Sequence, residues 1–183
     1  MDIRSRYPRI MSIPKRHSSP AFIAVGCRTF FVTTSTANKR PLLQTSRAAQ
    51  LFMEVLDAYR TQGKFQLHDF VVMPDHIHLL LTLENTMSIE RAVQFIKGGF
   101  SYRAGKELGF NPPVWQKGFS EVRIVDEVSF EKYRAYIWNN PVARGLALTP
   151  REYPFGSVGS GVKLDPGPQG LKPSSDENAL RYG

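Results

Sequence analysis

Two β-rich runs, 65–73 and His76–Leu83, stand on either side of Pro74-Asp75, and no other stretch constrains the fold as tightly. The pattern is an antiparallel hairpin. Proline cannot take the positive φ of the primed two-residue turns, so a slightly longer connection is expected. Side chains alternate faces along a strand, which puts His76 and His78 on one side, roughly 6 to 7 Å apart at Cα. Ile77, Leu79 and Leu81 then share the opposite, core-facing side. Neither histidine is expected in the core.

The flanking patterns supply the rest of a fold. Residues 22–33 read as a strand weakened by Gly26, and Ser46 caps a helix over 47–62 that Gly63 stops. Its apolar stripe is Leu51, Phe52, Val55, Leu56 and Tyr59. After the hairpin, Ser88 opens a second helix through Ile89, Ala92, Val93, Ile96 and Phe100 to Gly109. Gly98-Gly99 in its interior costs stability and signals a close approach of backbone to something else. Residues 119–125 form a fourth strand, and a last helix runs from Ser129 to Asn139, stopped by Pro141. The order β-α-β-β-α-β plus a helix predicts an α+β, ferredoxin-like antiparallel sheet with helices on one face. Three regions follow: a basic arm over 1–20, a folded domain over 21–157, and a Gly/Pro/Ser-rich tail over 158–183, loosely ordered.

Charge separates the arm from the remainder. The net charge is +8, and residues 1–50 hold nine Lys and Arg against Asp2 alone, so all of the excess lies there. Such a localised positive field attracts polyanions. Arg4, Arg6, Arg9, Lys15 and Arg16 in the arm, with Lys97 in the second helix, are the expected nucleic-acid contacts. The single Cys27 excludes an intramolecular disulfide or a cysteine-based zinc finger. No apolar run approaches the roughly 18 to 20 residues of a membrane helix, and no apolar segment follows the basic arm as in a signal peptide. A cytoplasmic protein with no membrane partner is expected.

Two same-face imidazoles can converge on one metal ion, but two ligands do not complete a shell. Tyr136 and Asn140 are spaced i,i+4 on the last helix and project from one face. Asn140 offers a carbonyl oxygen and Tyr136 a nucleophilic hydroxyl. Tyr133 is the rival nucleophile, although packing with Phe130 and Ile137 suits it better. A tyrosine in such a helix is often simply a half-buried packing residue.

At this point the residues form a resemblance. Val71-Val72-Met73-Pro74-Asp75-His76-Ile77-His78-Leu79-Leu80 resembles the HUH segment (His, bulky apolar, His) of single-tyrosine transposases. The stretch from Tyr136 through Asn139-Asn140-Pro141 to Leu146 resembles the tyrosine-helix signature of their REP-associated branch. Val114-Trp115-Gln116 and Phe119 are similar to that branch's Trp-Gln segment. The three motifs stand in the family's order over roughly residues 20–157. The order Ala143-Arg144 departs from the branch, where the basic residue often precedes the small one.

The resemblance implies metal-dependent cleavage and strand transfer of single-stranded or hairpin DNA through a 5′-phosphotyrosine. It makes Tyr136 the nucleophile, with His76, His78 and Asn140 holding Mg²⁺ or Mn²⁺. It also implies a monomer rather than a dimer exchanging tyrosine helices. Two other classes compete. An RNA-recognition module shares the ferredoxin-like sheet, but no Gly-Phe-Gly-Phe-like segment is present. An inactive, transposase-derived DNA-binding repressor is the third reading, against which the intact site residues argue.

Overall fold

The computed structural model describes residues 27–173. In chain order these form β1 (Arg28–Ser35), α1 (Ser46–Thr61), β2 (Gln66–Val72), β3 (His76–Leu83), α2 (Ile89–Leu108), β4 (Ser120–Ile124) and α3 (Glu127–Ala143). The strands lie in the order β2-β3-β1-β4, and every neighbouring pair is antiparallel. This is the ferredoxin-like order expected from the element pattern. The basic arm, with Arg4, Arg6, Arg9, Lys15 and Arg16, lies outside the described residues, as do Phe22 and Ile23 of the expected first strand. No helix among the described residues is long and apolar enough to cross a membrane.

Strand alternation splits the apolar residues between two cores. Phe30 and Val32 of β1, with Ile77, Leu79 and Leu81 of β3, face α1 and α2. Phe31, Val71, Leu80 and Ile124 face the other way, against Phe130 and Ile137 of α3. All eight residues of β3 are buried, which corrects the expectation that the histidine side lies outside the core. The alternation is present, but α3 covers the second face. Helices on both faces also remove the open aromatic sheet on which an RNA-recognition module stacks bases.

Local signals set most boundaries. The hairpin connection is Met73-Pro74-Asp75, longer than two residues as expected, and closes with Met73 N–H donating to the His76 carbonyl at 2.8 Å. Thr45, rather than Ser46, caps α1 by accepting the Ala48 N–H. Ser88 caps α2, and Gly109 ends it at φ 69°. A Cβ on Gly99 would meet the Tyr59 ring at 2.6 Å, so the close approach is that ring; Gly98 has open space.

Two expectations fail at the C-terminal side. Asp126 caps α3 through Ser129 N–H, so the helix begins two residues early and runs through Pro141 to Ala143. A proline this near the helix end forfeits little beyond one backbone bond, and the last turn closes through Arg144 N–H to the Asn140 carbonyl at 3.1 Å. The Gly/Pro/Ser-rich stretch after 157 is not a loose tail as far as residue 173. Ser157 N–H bonds to the Phe70 carbonyl, Asp165 N–H to Leu67, and Lys172 N–H to Val125. It runs along the outer edge of β2 and then reaches the end of β4.

Candidate active site

The site lies where β3, β1 and the C-terminal half of α3 meet. His76 and His78 are 7% and 3% exposed, with ring centroids 4.8 Å apart. His76 Nδ1 stands 2.6 Å from Asp75 Oδ1. A carboxylate only accepts, so Nδ1 carries the proton and Nε2 keeps its lone pair for the site. His78 Nδ1 is bonded to Thr33 Oγ1 at 2.8 Å, its cross-strand partner in β1. Its Nε2 is buried with no partner. Burial holds both imidazoles below their ordinary pKa, Asp75 opposing it at His76 and the neighbouring His76 and Arg144 adding to it at His78. Both rings are therefore neutral near pH 7, as a metal ligand must be.

Asn140 projects from α3 to the same place. It is 7% exposed, and its Oδ1 is a second buried oxygen or nitrogen without a partner. Two orphaned lone pairs, an amide oxygen and an imidazole nitrogen, beside a second available imidazole form a donor set suited to a hard or borderline divalent cation. Among the described residues no cluster of three His, Cys, Asp or Glu forms such a set; the third donor is an amide.

Tyr136 is half-buried beside this set. Its ring meets His78 edge-on at 5.1 Å between centroids, and Phe31 edge-on at 5.8 Å. Burial raises the phenol pKa, while hydrogen bonding from the Asn140 side chain and the charge of Arg144 pull it back. Tyr133 is stacked flat on Phe31 at 4.4 Å, the packing role expected of it. Helix direction does not separate the two tyrosines: seven residues advance about 700°, so Tyr133 points within about 20° of Asn140. Height along the helix does, since Tyr133 lies about 10.5 Å from Asn140 and Tyr136 about 6 Å. A third tyrosine, Tyr153, is spent on the Val72 carbonyl at 2.7 Å, and burial pushes its phenol up to about 12.

Several functional neighbours escaped the sequence reading. Asp69 on β2 is 1% exposed, and its carboxylate accepts from Arg134 Nε, Trp138 Nε1 and Ser157 Oγ at 3.0, 2.6 and 2.7 Å. It ties the outer side of α3 to the sheet; a lone acid inside an apolar strand was the available signal. Arg144, just past α3, lines a cavity of about 160 Å³ with Tyr136, Asn139, Asn140 and Ala143. Lys97, which the sequence did single out as a nucleic-acid contact, donates from Nζ to the carbonyls of Gln116 and Gly118, both at 2.8 Å, and so clamps the approach to β4. Trp115 is likewise architectural, packed on Phe52 and Phe100 with its Nε1 on the Lys97 carbonyl.

Comparison with known proteins gives one consistent result. A family model described as transposase IS200-like matches residues 27–140. The chain is 27% identical over 128 residues to the REP-associated tyrosine transposase of Escherichia coli (strain K12), covering 69% of this chain and 74% of that protein. It is 30% identical over 111 residues to a REP-associated tyrosine transposase relative from Haemophilus influenzae (strain ATCC 51907 / DSM 11121 / KW20 / Rd), covering 55% of this chain and 63% of the relative. A solved structure of a REP-associated tyrosine transposase bound to a REP hairpin is similar in fold, with a TM-score of 0.65 at 24% identity. The likeness covers 88% of this chain and 94% of that one.

Proposed function

This chain belongs to the IS200-like transposase family, and from that premise we propose that it cuts and rejoins single-stranded DNA with Tyr136 as the nucleophile. The observation that carries this reading is the meeting of the Tyr136 ring with His78 at 5.1 Å, beside the unpartnered His78 Nε2 and Asn140 Oδ1.

His76, His78 and Asn140 would hold a divalent ion, Mn²⁺ or Mg²⁺; when bound, it supplies Lewis acidity to the scissile phosphate. Imidazole ligands favour manganese of the two. The remaining work belongs to the chain. Asp75 and Thr33 orient the imidazoles through Nδ1. Phe31 supports the tyrosine from below, so the phenol is positioned before DNA arrives. Attack forms a bond from Tyr136 Oη to phosphorus and breaks the bond from phosphorus to the 3′ oxygen. The phenolic proton leaves, and the departing 3′ oxygen takes one up. The product is a 5′-phosphotyrosine and a free 3′-OH, and because one phosphoester replaces another, a later 3′-OH can reverse the step without ATP.

The DNA partner is proposed as a single strand or hairpin, in keeping with the REP hairpin in the solved relative's structure. The oligomeric state is proposed as a monomer, a reading that rests on the resemblance to the REP-associated branch.

The test incubates a labelled single-stranded hairpin with the parent chain, Tyr136→Phe and Tyr133→Phe, with Mn²⁺, Mg²⁺ or chelator, followed by a denaturing gel. A covalent adduct from the parent and Tyr133→Phe, absent from Tyr136→Phe and from chelated samples, is expected. An adduct that survives Tyr136→Phe and disappears in Tyr133→Phe reverses the assignment.

A further inference from the structure

Of the five residues lining the 160 Å³ cavity, Arg144 alone is charged. The positions Tyr136, Asn140 and Arg144 follow one another at four-residue steps, so each stands one turn beyond the last on neighbouring sides of α3. Arg144 N–H bonds to the Asn140 carbonyl, and the two residues line the same cavity. Its charge reaches three site groups, lowering the pKa of His76, His78 and Tyr136.

The guanidinium itself has no hydrogen bond or ion pair among the described residues. That sets it apart from four of the five arginines on α1, α2 and α3, the fifth, Arg91, lying over the Phe95 ring. Arg47, Arg60, Arg103 and Arg134 each hold a carboxylate within 3.2 Å. Arg144 is a free cation in the lining of the cavity that Tyr136 also lines. The ordinary explanation is a cation complementing the negative C-terminal end of a helix. That explanation accounts for a positive residue at this position but not for its place beside Tyr136 and Asn140 in one cavity. The same negative helix end would repel an incoming phosphate unless a cation offset it.

We propose that Arg144 grips the non-bridging oxygens of the phosphate that Tyr136 attacks, and keeps hold of them in the phosphotyrosine. This rests on the tyrosine chemistry proposed above. As the Oη–phosphorus bond forms and the bond to the 3′ oxygen breaks, negative charge builds on the non-bridging oxygens. A planar guanidinium donates two parallel N–H bonds to such a pair and exchanges no proton. The ammonium of a lysine supplies the charge without the fork.

The experiment has two arms. In the Tyr136→Phe background, without divalent metal, a fluorescent single-stranded hairpin is titrated over a range of salt concentrations. Arg144→Ala should flatten the slope of log K against log salt by about 0.7, one phosphate contact, while Arg144→Lys changes it little. In the active chain, single-turnover adduct formation should fall about 100-fold or more in Arg144→Ala and be partly restored in Arg144→Lys. An unchanged slope overturns the proposal whether or not an adduct forms, and so does an adduct rate within threefold of the parent. A parent chain that binds but never forms an adduct overturns the tyrosine chemistry alone, and the slope still decides Arg144.

Discussion

Asp75 Oδ1 lies 2.6 Å from His76 Nδ1, and this one hydrogen bond decides which nitrogen of His76 faces the site. The two residues are adjacent in sequence, so the turn that makes the hairpin also sets the tautomer. Replacing Asp75 by alanine frees the ring to rotate and to protonate Nε2. Loss of such an outer-shell carboxylate typically costs 10- to 100-fold in metal affinity. Calorimetric titration of Mn²⁺ into Asp75→Ala should show a loss of about that size, with Asp75→Asn, which retains an acceptor, falling less. Equal affinity in parent and Asp75→Ala would refute the role.

The buried Asp69 carboxylate predicts a stability effect remote from the chemistry. Removing it strands Trp138 Nε1, Ser157 Oγ and the partly exposed Arg134 together. Breaking a buried charge pair from one side costs about 3 kcal/mol or somewhat less with one partner in solvent. Urea unfolding of Asp69→Ala should show a loss near that figure, and Asp69→Asn a smaller one. A loss below about 0.5 kcal/mol, typical of an ordinary surface change, would mean the network does not anchor α3.

Acid should weaken the fold before it titrates the carboxylates. Burial lowers the pKa of His68, His76 and His78. Below about pH 6.5 the unfolded chain therefore binds more protons than the folded one, so stability is full above that pH and falls as pH drops through it. Each histidine adds at most about 1.4 kcal/mol per pH unit to the slope. Urea midpoints at pH 7.5, 6 and 5 should fall in that order. His68→Gln should flatten the trend, since His68 sits on Thr82 Oγ1 at 2.7 Å away from the proposed metal ligands. A midpoint constant from pH 7.5 to 5 would contradict the burial.

The arm carries a prediction from sequence alone. Deleting residues 1–19 removes five Lys and Arg. The salt slope for single-stranded DNA should flatten by up to about 3.5 units if each touches a phosphate, at about 0.7 apiece. An identical slope would make the arm a solvated tail.

Much of this molecule is local, and the local part was legible. Alternation put His76 and His78 on one face of β3, Ser88 and Gly109 bounded α2, and four-residue spacing put Tyr136 beside Asn140. These follow from backbone periodicity and from donors satisfied within one turn, so neighbouring residues suffice to read them. What covers a face is different. Alternation could not say that α3 buries the histidines, because that depends on Phe130 and Ile137 meeting Phe31 and Leu80 across the chain. The different surroundings of Tyr133 and Tyr136 are likewise tertiary, since Phe31 stacks flat on the first and meets the second edge-on beside His78. Asp69 gathering Arg134, Trp138 and Ser157, the strap over 157–173, and Arg144 at the cavity all join residues far apart in sequence. Such contacts leave no periodic trace, since the energy that selects them is the burial and pairing of groups brought together only by the finished fold.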